Sequence, residues 1–182
     1  MDISKAKKYP TTIIREQNAE VFSIFEKEYL DEASLILVNA KSKGVKIHLP
    51  TDVICSLEFR NDSKKKNFDA DKIPDQWQGL DIGPNTSKLF NKIIMQSKTI
   101  LWNGPVGVFE MESFSHGTKA LGESIVKSTK NGAFSLVGGG DSVAAAKKFN
   151  FSNKLSYVST GGGAMLESLE GKKLPGIEAL SD

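Results

Sequence analysis

The chain has 182 residues, 39% of them hydrophobic and 25% charged, with a formal net charge of +2. That length suits one domain with a sizeable core, and so slight a charge argues against nucleic acid or an anionic membrane surface as a partner. No apolar run is long enough to cross a bilayer, the start Met1-Asp2-Ile3-Ser4-Lys5 is not a signal peptide, and the lone cysteine, Cys55, excludes an internal disulfide and suits a reducing cytosol. The expectation is a cytoplasmic protein in which Cys55 is a small buried residue.

Residues 1–18 remain unassigned. Lys5, Lys7 and Lys8 make a basic start, Pro10 bars a continuous helix, and Thr11 to Ile14 is a candidate short strand. From Ala19 to Ser42, Val21, Phe22, Phe25, Leu30, Ala33, Leu37 and Ala40 recur at helical spacing. One or two helices are expected there, capped by Gly44. Val45 to Leu49 reads as a strand closed by Pro50, and Asp52 to Ser56 as its continuation or rim. His48 in that strand reads as a structural or surface histidine before a general base. Asn61 to Asp71, with Lys64, Lys65 and Lys66, reads as a solvated polar loop. Ile73 to Pro84 is turn-rich, yet Trp77, Leu80 and Ile82 require it to be packed. Asn85 is a candidate N-cap for a helix running to about Ser97. Lys98 to Trp102 is the next strand, broken by Asn103-Gly104-Pro105, and a helix from about Phe114 to Lys130 follows. His116 falls in that helix and reads as a surface residue.

The most informative stretch comes next. Ala133 to Val137 is an apolar run that breaks into Gly138-Gly139-Gly140, and Asp141-Ser142 opens a helix through Phe149. Glycines let a backbone turn sharply and approach a ligand closely, and the free N–H groups of a helix's first turn favour an anion such as phosphate. The device repeats: Lys154 to Ser159 as strand, Thr160-Gly161-Gly162-Gly163 as turn, Ala164 to Leu169 as helix. One triple glycine is as readily a plain tight turn, but two in tandem strand–turn–helix units favour a phosphate site. It is not a Walker loop, because no Gly-Lys-Ser/Thr follows either run, and contiguous glycines do not fit the dinucleotide fingerprint. Strands alternating with helices predict a doubly wound parallel sheet, Rossmann-like and three-layered, in a single domain over 1–182. At least four strands are expected, near 45–49, 99–102, 133–137 and 155–159, with both glycine turns at the C-terminal edge. The apolar end, Leu169 to Leu180, is expected to dock on something.

Several stretches carry a family resemblance. Leu101-Trp-Asn-Gly-Pro-Val-Gly-Val-Phe-Glu110, Gly138-Gly-Gly-Asp-Ser142, Ser159-Thr-Gly-Gly-Gly-Ala164 and Leu169-Glu-Gly-Lys-Lys-Leu-Pro-Gly176 closely resemble phosphoglycerate kinase, in that family's order and spacing. Gly44 to Pro50 and Trp77 to Pro84 match as well, so the resemblance covers roughly residues 20–180. It implies most of a C-terminal nucleotide-binding domain, truncated relative to the family's. The family is a two-domain, typically monomeric glycolytic enzyme exchanging a phosphoryl group between 1,3-bisphosphoglycerate and ADP, giving 3-phosphoglycerate and MgATP. By resemblance Gly83 lies near the adenine pocket, Gly104 and Val106 beside the nucleoside, and Glu110 on the ribose hydroxyls. Asn103 and Gly140 would sit by the nucleotide phosphates. Asp141 would hold Mg²⁺, Ser142 would contact phosphate, and the Gly161, Gly162 and Gly163 amides would face the migrating phosphoryl group.

There are departures. The family's substrate domain with its histidine and arginine cluster is absent, as are the strand bearing Gly-Gly-Ala-Lys and the Gly-Gly-Gly strand after it. Ser142 stands where the family usually has threonine. The resemblance therefore implies the nucleotide and Mg²⁺ side of the enzyme, inactive alone, with 3-phosphoglycerate bound only in the presence of the missing domain. Apolar surface left by the missing strands makes self-association an expectation. A non-catalytic nucleotide- or phosphate-binding module, and a purely structural domain, are the competing readings.

Overall fold

The structure, a computed structural model, describes residues 29–179. The expected basic start, the strand at Thr11 to Ile14, the first part of the helical stretch and Leu180 lie outside them. The first element, α1 (Leu30–Ser42), ends as Gly44 predicts. Gly44 takes φ 69°, its N–H donates to the Lys41 carbonyl at 3.2 Å, and the Val45 N–H reaches back to Ala40 at 2.8 Å. This paired left-handed cap satisfies carbonyls that would otherwise be orphaned.

Residues 45–49 correct the reading of a strand there: they form no ladder, and Val45 and Ile47 are 58% and 37% exposed. An apolar alternation becomes a strand only when a neighbour takes up its N–H and C=O groups. Among the described residues none does. Asp52–Ser56 (β1) is a strand, but not of the parallel sheet. It runs antiparallel between Lys65–Asp69 (β2) and Gln78–Ile82 (β3) in a separate three-stranded sheet. The supposed solvated loop at 61–71 thus contains an edge strand. Its lysines stay exposed, which masks the strand in the sequence and discourages pairing with another edge.

This sheet packs its own small core of Val53, Cys55, Ala70 and Ile73, flanked by Phe68 and Trp77 edge to face at 5.0 Å. The stretch around Trp77 is therefore packed, as expected. Burial pushes the Cys55 thiol up to about 12, which leaves it a small apolar filler.

Helix α2 (Pro84–Ile94) starts after Gly83 with Pro84 at its first position, so Asn85 is not its cap. The cap comes from β1. Asp52 accepts the Asn85 N–H at 3.0 Å, the Thr86 N–H at 2.7 Å and the Thr86 hydroxyl at 2.7 Å. Burial works to raise the Asp52 pKa, but the donors from Thr86, Asn85 and Asn67 together hold it below the usual range.

Among the described residues the parallel sheet has three strands, not the four expected: Thr99–Trp102 (β4), Phe134–Val137 (β5) and Tyr157–Val158 (β6), in that order. Helix α3 (His116–Lys130) crosses from β4 to β5, and α4 (Gly140–Lys148) from β5 to β6. Helices α5 (Gly162–Leu169) and α6 (Pro175–Glu178) follow. This is the expected mixed α/β arrangement with a parallel sheet. Strand β6 is shorter than 155–159 because serines replace its ladder: the Ser135 N–H donates to Ser156 Oγ and the Ser156 N–H to Ser135 Oγ, both at 3.0 Å. Ile100, Trp102, Ile125, Val137, Ala145 and Phe151 form the centre of the larger core. Among the described residues of the C-terminal stretch, Leu174 is half-buried and Ile177 is 58% exposed.

Asp81 ties the two sheets' surroundings together. It is 4% exposed; its carboxylate accepts the Gly117 N–H at 2.8 Å and the Ile82 N–H at 2.9 Å, and its backbone bridges to Gly107. Burial pushes its pKa up to about 7, against the pull of those N–H donors and of Lys65. A carboxyl raised from 3.8 when folded binds its proton more tightly in the native state. Its contribution is complete below about pH 4 and is lost as the pH climbs through about 7. Urea midpoints should fall across that window, and Asp81→Asn should flatten the dependence. An unchanged slope in the variant would exclude Asp81 as its source.

Candidate functional site

Because β4, β5 and β6 are parallel, the loops that follow them leave from one edge. Hydrogen bonds join them there. The Gly138 N–H donates to the Trp102 carbonyl at 3.0 Å and the Ser159 N–H to Val137 at 2.7 Å. Gly139 takes φ 90°, and a Cβ at that position would lie 2.4 Å from Asn103 Oδ1. A Cβ on Gly162 would lie 2.4 Å from the Gly139 nitrogen and 2.8 Å from its Cα. Real Cβ atoms cannot sit so close to backbone. The two glycine turns therefore meet at the C-terminal edge of the sheet, as the sequence predicts.

Each turn opens a helix toward the same place. The first intrahelical bond of α4 is Val143 N–H to Gly139 at 3.0 Å, and that of α5 is Met165 N–H to Gly161 at 3.0 Å. The N–H groups of Gly140, Asp141 and Ser142, and those of Gly162, Gly163 and Ala164, have no partner within their helices. Two helix N-termini side by side concentrate partial positive charge, which suits a polyanion. The Asp141 carboxylate is exposed in the first turn of α4. No cluster of three metal-binding side chains occurs among the described residues. A cation at Asp141 would draw its remaining oxygens from a bound ligand and water, the arrangement Mg²⁺ prefers. The residues present fit that ion.

Other candidates are placed less directly. Ser142 is 1% exposed, and its hydroxyl accepts the Gly104 N–H at 2.5 Å, so its side chain holds the β4 loop while its own N–H stays at the helix end. Trp102 Nε1 donates to the Gly104 carbonyl at 2.9 Å, and the Val106 N–H is taken by Thr118 Oγ1 at 3.1 Å. Asn103, Gly104 and Val106 border an apolar groove of about 300 Å³ with Phe90, Leu101 and Leu121. Glu110 is exposed farther along the same loop. Gly83 stands apart: it is buried against the Asp52 carboxylate and Asn67, and its N–H donates to the Asp52 carbonyl at 2.8 Å. Strand β3 meets the Gly104–Glu110 loop instead through Leu80, whose carbonyl accepts the Val108 N–H at 2.8 Å. His48 and His116 are both exposed.

Sequence reading missed two anchors. One is the Ser142–Gly104 hydrogen bond. The other is Lys148, whose ammonium donates to the Phe109 and Glu110 carbonyls at 2.8 and 3.0 Å. A lysine in a helix's last turn gave no signal beyond a favourable charge there.

Residues 10–172 match the family model described as Phosphoglycerate kinase. The chain is 55% identical over 158 residues to the phosphoglycerate kinase of Porphyromonas gingivalis, covering 87% of this chain and 38% of that protein. It is 49% identical over 160 residues to a probable phosphoglycerate kinase of Caenorhabditis elegans, covering 87% of this chain and 38% of that protein. It is 48% identical over 160 residues to the cytosolic enzyme of Triticum aestivum, covering 88% and 40%. The solved phosphoglycerate kinase of Coxiella burnetii superposes with a TM-score of 0.83 at 44% identity, over 97% of this chain and 42% of that one. That of Pyrococcus horikoshii OT3 gives 0.70 at 33% identity, over 84% and 36%. The chain thus spans about two fifths of the length of these relatives.

Gly162→Ala should destabilise the fold by about 1–3 kcal/mol, because backbone on the opposing turn cannot give way. Gly163→Ala, whose Cβ meets nothing within 4 Å, is the control and should melt close to the parent. Equal melting temperatures for the two variants would contradict the close contact.

Proposed function

The chain belongs to the phosphoglycerate kinase family, and from that membership we propose that its parallel-sheet edge is the nucleotide side of a phosphoryl-transfer site. The observation that carries this reading is the Gly139–Gly162 contact, which sets two helix N-termini beside one exposed carboxylate. In the whole protein the reaction is the exchange of a phosphoryl group between 1,3-bisphosphoglycerate and ADP, giving 3-phosphoglycerate and MgATP, a glycolytic step in the cytoplasm.

Phosphoryl transfer asks a protein for positioning and charge neutralisation more than for covalent chemistry. The unpaired N–H groups of Gly140, Asp141 and Ser142 receive the ADP or ATP phosphates, and Asn103 lies beside them. Those of Gly162 and Gly163, with the Gly161 turn, face the phosphoryl group in transit. Asp141 holds Mg²⁺, which supplies charge neutralisation on the phosphate oxygens. Gly104 and Val106 border the nucleoside, and the Glu110 carboxylate accepts from the ribose hydroxyls. Gly83 acts at one remove, by fixing the start of α2 behind β3.

Alone, the chain binds nucleotide without turning it over. In-line transfer requires donor and acceptor held together away from water, with the moving charge met from several sides. The acceptor, 3-phosphoglycerate, belongs to the other domain of the family. The chain also self-associates: among the described residues β4 is an edge strand, and Leu101 on it is 45% exposed.

Calorimetric titration with ADP tests the reading. Asp141→Ala should abolish the gain in affinity from Mg²⁺, about tenfold or more. Glu110→Ala should weaken ADP about tenfold and leave inorganic phosphate untouched. Loss of both ligands in equal measure would remove Glu110 from the ribose. Turnover of MgATP and 3-phosphoglycerate by the lone chain, abolished by Asp141→Ala, would overturn the proposal that it is inactive.

A further inference from the structure

The loop that carries Glu110 is held by α4 at two points. Near the helix start, Ser142 Oγ accepts the Gly104 N–H; near its end, the Lys148 ammonium bridges the Phe109 and Glu110 carbonyls at 2.8 and 3.0 Å. Those two carbonyls are consecutive, and the intervening backbone is a turn closed by Met111 N–H to Val108 at 3.0 Å. An ammonium has three donors. Spending two on carbonyls fixes the backbone at Glu110 without neutralising its side chain. Among the described residues the Glu110 carboxylate joins no ion pair, although Lys148 is beside its own backbone.

The placement on α4 adds a second constraint. Lys148 is seven residues after Asp141, so the two lie on one stripe of the helix, about 10 Å apart along its axis. The rings of Phe109 and Phe149 lie 6.0 Å from the ammonium and limit its wandering. One rigid helix thus carries the metal carboxylate at one end and the anchor of the Glu110 loop at the other.

We propose that Lys148 is a positioning residue for nucleoside recognition: it pins the loop by its carbonyls, leaves the Glu110 carboxylate free, and sets its distance from Asp141. This inference rests on the reading of Glu110 as the ribose contact. It assigns Lys148 no contact with ligand. Removing the ammonium frees the Glu110 backbone, so nucleoside affinity falls while the phosphate end, held by Gly139 to Ser142, is untouched.

The test is a titration of the 182-residue chain and its variants with MgADP and, separately, inorganic phosphate. Lys148→Met should weaken MgADP about five- to tenfold, the scale of losing a charge-assisted contact transmitted through backbone. Phosphate affinity should not change. Lys148→Arg, which can still donate to both carbonyls, should recover most of the loss. In a Glu110→Ala background, Lys148→Met should have no further effect. Equal weakening of MgADP and phosphate would mark Lys148 as merely structural and overturn the inference. So would Glu110→Ala weakening MgADP while Lys148→Met does not, an outcome that leaves the ribose reading standing. A parent chain that binds phosphate but not MgADP would defeat the ribose reading first and this inference with it.

Discussion

The candidate site depends on two backbones meeting with no side chain between them. Gly162 lies against the nitrogen and Cα of Gly139, closer than any Cβ permits. That contact brings the starts of α4 and α5 together, and neither helix could shift without separating the turns. Side chains then work around it. Asn103 packs on the Gly139 turn from β4, and Ser142 reaches back to hold Gly104, so three loops from three strands form one assembly. Helix N-termini arranged this way offer fixed donors to an anion without needing a mobile cation.

A second layer of buried polar groups holds this edge in register with the rest of the chain. Asp52 caps α2 from a different sheet, and Asp81 caps the start of α3 from β3. Both carboxylates are buried, and they answer burial differently. Asp52 collects enough donors to remain acidic, whereas Asp81 is driven toward neutrality. Buried carboxylates of this kind specify how elements join more than they add to stability. The antiparallel sheet is thereby attached to the parallel one through helix ends, not through a shared ladder.

Much of this was legible in the sequence. The glycine runs, their flanking apolar strands and the left-handed cap at Gly44 follow from local chemistry, and parallel strands guarantee that both turns share an edge. What was not legible required partners distant in the chain. Val45 to Leu49 has the alternation of a strand but, among the described residues, no neighbour to pair with, so periodicity misled. Strand β2 is written in lysine and asparagine because its environment is solvent, and composition read it as loop. Asn85 is a good cap in isolation, yet Asp52, 34 residues before Thr86, does the capping. Within the site, Asp141 was visible as a carboxylate after glycines. Lys148 was not, because nothing in a helix-terminal lysine reveals which carbonyls it will meet.

The Gly139–Gly162 contact implies that one anionic ligand is received by both glycine turns together. Backbone amide shifts, followed by nuclear magnetic resonance as ADP and Mg²⁺ are added, address it most directly. The resonances of Gly139 to Ser142 and of Gly161 to Gly163 should move in a single titration with one shared affinity. Shifts confined to one turn, or centred on the separate lysine-lined groove of Lys65, Lys66 and Lys119 while both turns stay still, would contradict it.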